Sequence, residues 1–438
     1  MSGLPVPNRE DRPSEPDGGY RAVLANQNFR VLWISSLFSL IASAISQVAL
    51  PILVYDLTES ASVMSVIFII RLIPQAVLSP FAGVLADTFN RQRLMLASCG
   101  IQACGVALLP FSTEAWHVGA IAAFTGLGAV LYIPAEMATV PTIVEPGQLV
   151  TALSAVQVAS SLTRVVGPAI GAGLIAIRGT DLAFWVQSLI FVVAMVMLTR
   201  LQLPLMQPVR AFRSAFDFLH YLSAEAAEGL RVVWRVPVVR AVCATEALWS
   251  LAIANLSITT IVYVREELDL GDRGNLVFGL LAVSISIGAV AGALVARQIE
   301  RRGGRLTLMM VGYFAPLLFI PTILNPPLPV LFACWFLLGF ADAWLVIAMF
   351  AYVIESAPPN TRGRVFAIWG GVISVASLGT FALVGWLTET IGPQATFAVT
   401  GFAVAIGSPL ILWLSGALAS IRSLPGPTAE SGRSIADT

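Results

Sequence analysis

Gly83-Val84-Leu85-Ala86-Asp87-Thr88-Phe89-Asn90-Arg91-Gln92-Arg93 is a short polar hinge between two long apolar segments, 63–86 and 94–111. A connection this short makes the flanking segments antiparallel neighbours. Asp87, Arg91 and Arg93 then fall where two membrane-length helices would meet the membrane surface.

The composition around the hinge points the same way. Hydrophobic residues make up 57% of the 438-residue chain and charged residues 11%, with a mean hydropathy of +0.84. A soluble protein carries roughly 25% charged residues, so this much apolar surface calls for a bilayer. All 25 basic residues are arginine. Without lysine the chain cannot build the phosphate-binding GxxxxGK[ST] loop or a lysine Schiff base. Active transport would therefore draw on an ion gradient or a partner chain. The formal net charge is zero, which gives no basic field for nucleic acid. Cys99, Cys104, Cys243 and Cys334 all lie in apolar segments and read as small buried hydrophobes, with no zinc or disulfide pattern.

A helix needs about 20 apolar residues to cross the hydrocarbon core. That window places spans near 31–55, 63–86, 94–111, 118–140, 150–177 and 182–199, then near 242–264, 275–296, 306–324, 329–353, 365–387 and 395–417. The expected fold is an all-α membrane protein of about twelve transmembrane helices in two pseudo-symmetric six-helix halves, 29–200 and 242–417. Residues 1–28 and 418–438 read as cytoplasmic tails, the first disordered. The linker 201–241 carries Phe212, Phe216, Leu219 and Leu222 at helical spacing, as a surface-lying amphipathic helix or a packed linker helix would.

An even number of spans puts both termini on one side. That side would hold 20 arginines against three, Arg178, Arg265 and Arg273, on the other. The bias predicts a multi-pass protein with both termini in the cytoplasm. The halves also echo each other. Gly83-Val84-Leu85 before Arg91 and Arg93 recurs as Gly292-Ala293-Leu294 before Arg301 and Arg302. Repeated halves suit a carrier that presents one central site to either side in turn.

The hinge resembles the loop 2–3 signature GxLaDrxgrr of the major facilitator superfamily. Gly167-Pro168-Ala169-Ile170-Gly171-Ala172-Gly173 resembles that superfamily's exporter element in helix 5, with Arg164 just ahead of it. Val48-Ala49-Leu50-Pro51, the stretch Glu228-Gly229-Leu230-Arg231 through Pro237 and Arg240, and Arg362-Gly363-Arg364-Val365 are similar to bacterial exporters of the enterobactin and macrolide efflux group. The resemblance implies a gating role for Gly83, Asp87, Arg91 and Arg93. Asp87, at the C-terminal end of a helix, meets an unfavourable dipole of roughly 0.3–1 kcal/mol and should seek arginine or another helix N-terminus. Arg91 and Arg93 would anchor to acidic headgroups as well as pair. The sequence also departs from the pattern. Ala42 and Ser43 stand where relatives carry Gly-Asp, Cys99 and Gln102 stand near a second family acid and its arginine, and Glu136 replaces a basic residue.

Five ionisable residues remain inside the spans: Arg71, Glu136, Arg164, Glu246 and Asp342. An ionised group at mid-bilayer costs at least about 2.5–3.5 kcal/mol, so such groups face a cavity or one another. Arg71 and Arg164 are expected at the central cavity, with a salt bridge inside the N-terminal half as the plain alternative. Glu136 reads either as functional or as a surface residue at a helix end. Asp342 and Glu246 are the candidates for proton coupling. Trp249, Trp335, Trp344 and Trp369 are candidates to line an apolar cavity, and Trp116 and Trp185 are expected at the outer interface.

The resulting expectation is a secondary active transporter, an exporter of amphipathic or hydrophobic small molecules, drug- or macrolide-like, working by alternating access in the bacterial cytoplasmic membrane. Its partners would be the substrate, the lipid bilayer and protons as coupling ion, and it would act as a monomer without cofactor or metal. A siderophore or lysolipid carrier of the same fold is one alternative, and a sensor or scaffold that has lost coupling is another. An enzyme is the remaining class. His117 and His220, the only histidines, form no nucleophile or metal arrangement.

Overall fold

The computed structural model describes the backbone of residues 20–203, 231, 234–268, 270, 273–356 and 362–418, and their side chains apart from 79–88, 146, 150, 161, 165 and 362–368. The chain is helical from Tyr20, inside the stretch read as a tail, with a short helix Tyr20–Ala25 ahead of the first crossing. The proposed amphipathic helix at Phe212–Leu222 lies outside the described residues.

The first half is α1 (Gln27–Thr58), α2 (Ala61–Thr88), α3 (Arg91–Leu108) and α4 (Ala115–Ile143), followed by a continuous helical stretch Leu149–Leu198. At about 1.5 Å per residue that stretch would run some 75 Å, far more than a bilayer core of about 30 Å. It is two crossings: Arg178 (φ −149°) and Gly179 (φ 72°, ψ −169°) leave helical geometry and fold it into α5 (149–177) and α6 (180–198). Gly179 takes a positive φ that a side chain would resist. The second half is α7 (Pro237–Ala254, extended through π-helical turns to Glu267), α8 (Arg273–Gly303), α9 (Arg305–Phe314), α10 (Leu328–Ser356), α11 (Arg362–Ile391) and α12 (Pro393–Leu414). Among the described residues, eleven helical stretches are long and apolar enough to cross a membrane, and the folded one supplies two crossings, making twelve.

Local chemistry sets the ends. Asn26 caps α1 by accepting from the amides of Asn28 and Phe29, and its Nδ2 donates to the Ile143 carbonyl at 2.6 Å, tying α1 to α4. Asn90 caps α3 through the Arg93 amide at 3.1 Å, so the hinge leaves only Phe89 and Asn90 outside the helices. After α9 the chain tightens into a 3-10 stretch, Ala315–Leu324. Pro316 and Pro321 lack the amide that an α-helical ladder requires.

Small residues allow the closest helix crossings. A Cβ at Gly288 or Gly292 on α8 would collide with the Phe336 or Phe340 carbonyl on α10, and one at Gly339 with the Ile285 carbonyl in return. Trp344 closes the same seam by donating Nε1–H to the Gly292 carbonyl at 2.8 Å. In the first half, Gly167 packs on Ala44 and Gly171 on Ile45, setting α5 against α1. One buried cluster runs through both halves, from Ile45 and Phe68 to Trp249 and Phe397. A second, around Phe29, Met95, Tyr132 and Leu198, fills the arginine-rich end of the first half. Trp335 belongs to packing, not to a cavity wall: it meets Phe319 at 5.6 Å and Phe397 at 5.9 Å, edge-on. Cys99, Cys243 and Cys334 are buried as expected, whereas Cys104 is exposed.

Candidate functional site

The hinge residues separate by position. Arg91 is buried and donates to the Ala138 carbonyl of α4, while Arg93 is exposed. Two residues on a helix are about 200° apart at 3.6 residues per turn, so one arginine faces the bundle and the other faces out. Headgroup anchoring is thus available to Arg93 and not to Arg91. The side chains of Gly83 and Asp87 lie outside the described residues. In the second half the echo is only partial. Arg301 and Arg302 are exposed, and Arg305 makes the ion pairs instead, with Nε 2.8 Å from Glu300 and Nη1 2.6 Å from Glu355. Arg305 therefore clamps α8, α9 and α10 together.

The five intramembrane ionisable residues divide into two groups. Arg164 on α5 acts electrostatically on Asp342 of α10, across the division between the halves. Asp342 also lies beside Trp249 and within electrostatic reach of Glu246, both on α7. Arg164 is exposed, and Asp342 and Glu246 keep accessible surface although they sit deep in the bundle. These three form a cross-half set of one cation and two carboxylates. Gly167 and Gly171 hold the α5 side of the set by letting that helix lie close on α1, with Pro168 between them inside the helix.

Arg71 and Glu136 lie elsewhere, inside the first half. Glu136 is 4% exposed and belongs with Tyr132 and Ser36, not at a helix-end surface; its Oε1 has no hydrogen-bond partner. Arg71 points into a small pocket enclosed by α1, α3, α4 and α6. Ser43, where the resemblance places an acid, and Gln102, near the arginine that follows the family's second acid, line that pocket.

The contacts that join the halves include a polar set overlooked in the sequence. At the arginine-poor end, Arg265 Nη2 lies 3.0 Å from Asp56 Oδ1, and the Tyr55 hydroxyl donates to Glu266 Oε1. The Arg265 guanidinium also sits 5.7 Å from the Tyr55 ring centre and donates to Asn275 Oδ1 at 2.9 Å. Nearby, Glu389 of α11 accepts from the Ser60 hydroxyl at 3.0 Å and the Ser62 amide at 2.8 Å. The second π-helical turn of α7, Tyr263–Glu267, carries Arg265 and Glu266 to α1. One signal for Arg265 was present in the sequence: it is one of three arginines on the side where arginines are scarce. Below this set the halves touch through apolar and small residues. Phe68 stacks on Phe381 at 5.4 Å, Gly385 lies against Ser65, and Gly279 of α8 lies against Ala172 and Val48.

Comparison with known proteins agrees with this architecture. The family model described as Major Facilitator Superfamily matches residues 32–326 and 299–437. The chain is 28% identical over 392 residues to the multidrug efflux pump Tap of Mycolicibacterium fortuitum, covering 84% of this chain and 90% of that protein. It is 23% identical to macrolide efflux protein A of Streptococcus pyogenes, covering 87% and 95%, and 24% identical to the enterobactin exporter EntS of Salmonella typhimurium, covering 92% and 96%. Among solved structures, the nucleoside transporter NupG superposes with a TM-score of 0.72 at 10% identity over 88% of this chain and 99% of its own. The human organic anion transporter MFSD10 superposes with a TM-score of 0.62 at 18% identity, over 91% and 100%. These relatives are transporters and not enzymes, and the twelve crossings and the paired halves described above are of the same kind: the chain belongs to the Major Facilitator Superfamily.

Proposed function

We propose that this chain exports amphipathic or hydrophobic small molecules by alternating access, with both termini in the cytoplasm of a bacterial cell. The observation that carries the reading is the cross-half set Arg164, Glu246 and Asp342. Three ionisable groups at mid-depth between two halves are costly unless they serve a pathway. The halves are held together at the arginine-poor end by Asp56–Arg265, Tyr55–Glu266 and Glu389 with Ser60 and Ser62. By the arginine distribution that end is external. Rocking outward requires those bonds to part, while the cytoplasmic hinge at Asp87, Arg91 and Arg93 closes. Asp342 is the proposed coupling carboxylate: protonation releases Arg164, and deprotonation restores their attraction, so proton entry and substrate exit share one switch. The efflux relatives favour export as the direction.

The test is accumulation of a panel of labelled drugs, macrolides and siderophores in cells with and without the protein, each with and without an uncoupler. Lower accumulation of at least one compound, reversed by the uncoupler, is the expected result. A siderophore as the sole responsive compound would move the substrate class to the alternative carrier. Equal accumulation of every compound would favour a non-transporting scaffold.

A further inference from the structure

We propose that Arg71 and its neighbours form a binding site for one small monovalent anion, chloride or bromide, inside the first half and separate from the set shared between halves. Arg71 sits near the middle of α2, ten residues from Ala61 and seventeen from Thr88. Both ends of the helix are therefore about 15–25 Å away along its axis. Among the described residues, none forms a hydrogen bond or ion pair with its guanidinium, which is half-buried. A guanidinium stays protonated in proteins, so the positive charge must be balanced by something that enters the pocket.

The pocket is shaped for a small occupant. Its volume is about 20 Å³, enough for one water-sized body. Its polar lining is Ser43, Ser46, Arg71, Gln102, Thr125 and Gln187, with no acidic residue among the lining groups. Ser43 and Thr125 spend their hydroxyl protons on the Ser39 and Ile121 carbonyls at 2.9 Å. Ser46 accepts from Gln187 Nε2 at 2.6 Å and keeps its own proton to donate. Gln102 uses one amide proton on Ser98 at 3.2 Å and has a second. The buried Gln187 Oε1 has no partner. Exchanging the Gln187 amide oxygen and nitrogen, an ordinary ambiguity of assignment, lets Ser46 donate to that oxygen and turns an amide N–H into the pocket. Either way, the Ser46 hydroxyl or the Gln187 amide, together with the second N–H of Gln102, leaves a donor in the lining that Arg71 shares. Such donors beside a fixed positive charge suit a halide, and a cation finds no carboxylate in this lining.

The anion would act as a structural counterion, neutralising Arg71 where α1, α3, α4 and α6 meet. The experiment is equilibrium binding of ³⁶Cl⁻ to the purified full-length protein in gluconate buffer, with unlabelled chloride, bromide and sulfate as competitors. The expected result is one displaceable chloride per chain, displaced by bromide and not by sulfate. Arg71→Gln should weaken it at least tenfold, and Arg71→Lys should retain part of it. Thermal unfolding in gluconate against chloride keeps the test informative where Arg71→Gln folds poorly. The wild-type Tm should rise with chloride, whereas Gln187→Glu, which brings its own carboxylate to Arg71, should unfold at one Tm in both salts. The proposal is overturned by the absence of displaceable chloride in the wild type, by equal binding in Arg71→Gln, or by the same chloride-dependent Tm shift in Gln187→Glu as in the wild type.

Discussion

Replacing Arg265 by leucine should loosen the halves at the arginine-poor end by an amount that can be worked from its contacts. Its ion pair with Asp56 is 3.0 Å long, but the side chains are 21% and 38% exposed. Solvent at that level screens the pair to roughly 1 kcal/mol or less. The guanidinium over Tyr55, 5.7 Å from the ring centre, adds about 0.5–1 kcal/mol. The bond to Asn275 stays within the second half, from α7 to α8, and does not enter the difference. The loss is thus about 0.5–2 kcal/mol, or a change of about 2–30-fold in the ratio of parted to joined states. Spin labels at Thr113→Cys, in the loop before α4, and Leu324→Cys, at the exposed end of the 3-10 stretch after α9, with the native cysteines replaced, report the ratio as a distance distribution. Arg265→Leu and Asp56→Asn should each enrich the long-distance population. The double variant should exceed the larger single effect by little, since both remove one pair. High salt should move the wild type toward the variants. Superimposable distributions for the wild type and a folded Arg265→Leu protein would refute the assignment of these residues to a latch.

Three further outcomes follow from the same geometry. Asp342→Asn should abolish gradient-driven transport while membrane expression stays normal, and unchanged transport in vesicles would remove Asp342 from the mechanism. Gly292→Val should lower Tm by an overpacking cost of about 1–3 kcal/mol or more, because its Cβ meets the Phe340 carbonyl on a rigid helix; an unchanged Tm would mean that α8 and α10 are not locked at this crossing. Trp344→Phe should cost about 1 kcal/mol from the bond to Gly292, and should cost almost nothing further once Gly292→Val has already separated the helices.

The spans were legible because the bilayer imposes a length on apolar sequence. Even the fold at Arg178 and Gly179 falls in the gap between the expected spans ending at 177 and starting at 182. Facing was not legible. These helices are apolar on all sides, so periodicity does not say whether a residue looks into the bundle or out to lipid. Arg91 and Arg93 read alike in sequence and end on opposite sides of α3. Likewise Arg71 and Arg164 both stood out as charges within spans, yet one enters a small pocket in its own half and the other meets the partner half. Glu136, which read either as functional or as a surface residue at a helix end, is buried, because α4 packs there against α3 and α1. The latch was hidden for a different reason: Asp56, Arg265, Glu266 and Glu389 lie at span ends, where charges are inexpensive and so draw no notice.

The central claim, that the halves must part at the arginine-poor end for substrate to cross, is most directly tested by tying that end shut. Ser60 and Glu389 are joined by a hydrogen bond of 3.0 Å across the halves. A Ser60→Cys/Glu389→Cys protein in proteoliposomes, bridged by a short thiosulfonate crosslinker, should stop moving a responsive compound and recover when reductant cleaves the bridge. Transport that continues at full rate with the bridge complete would contradict the account.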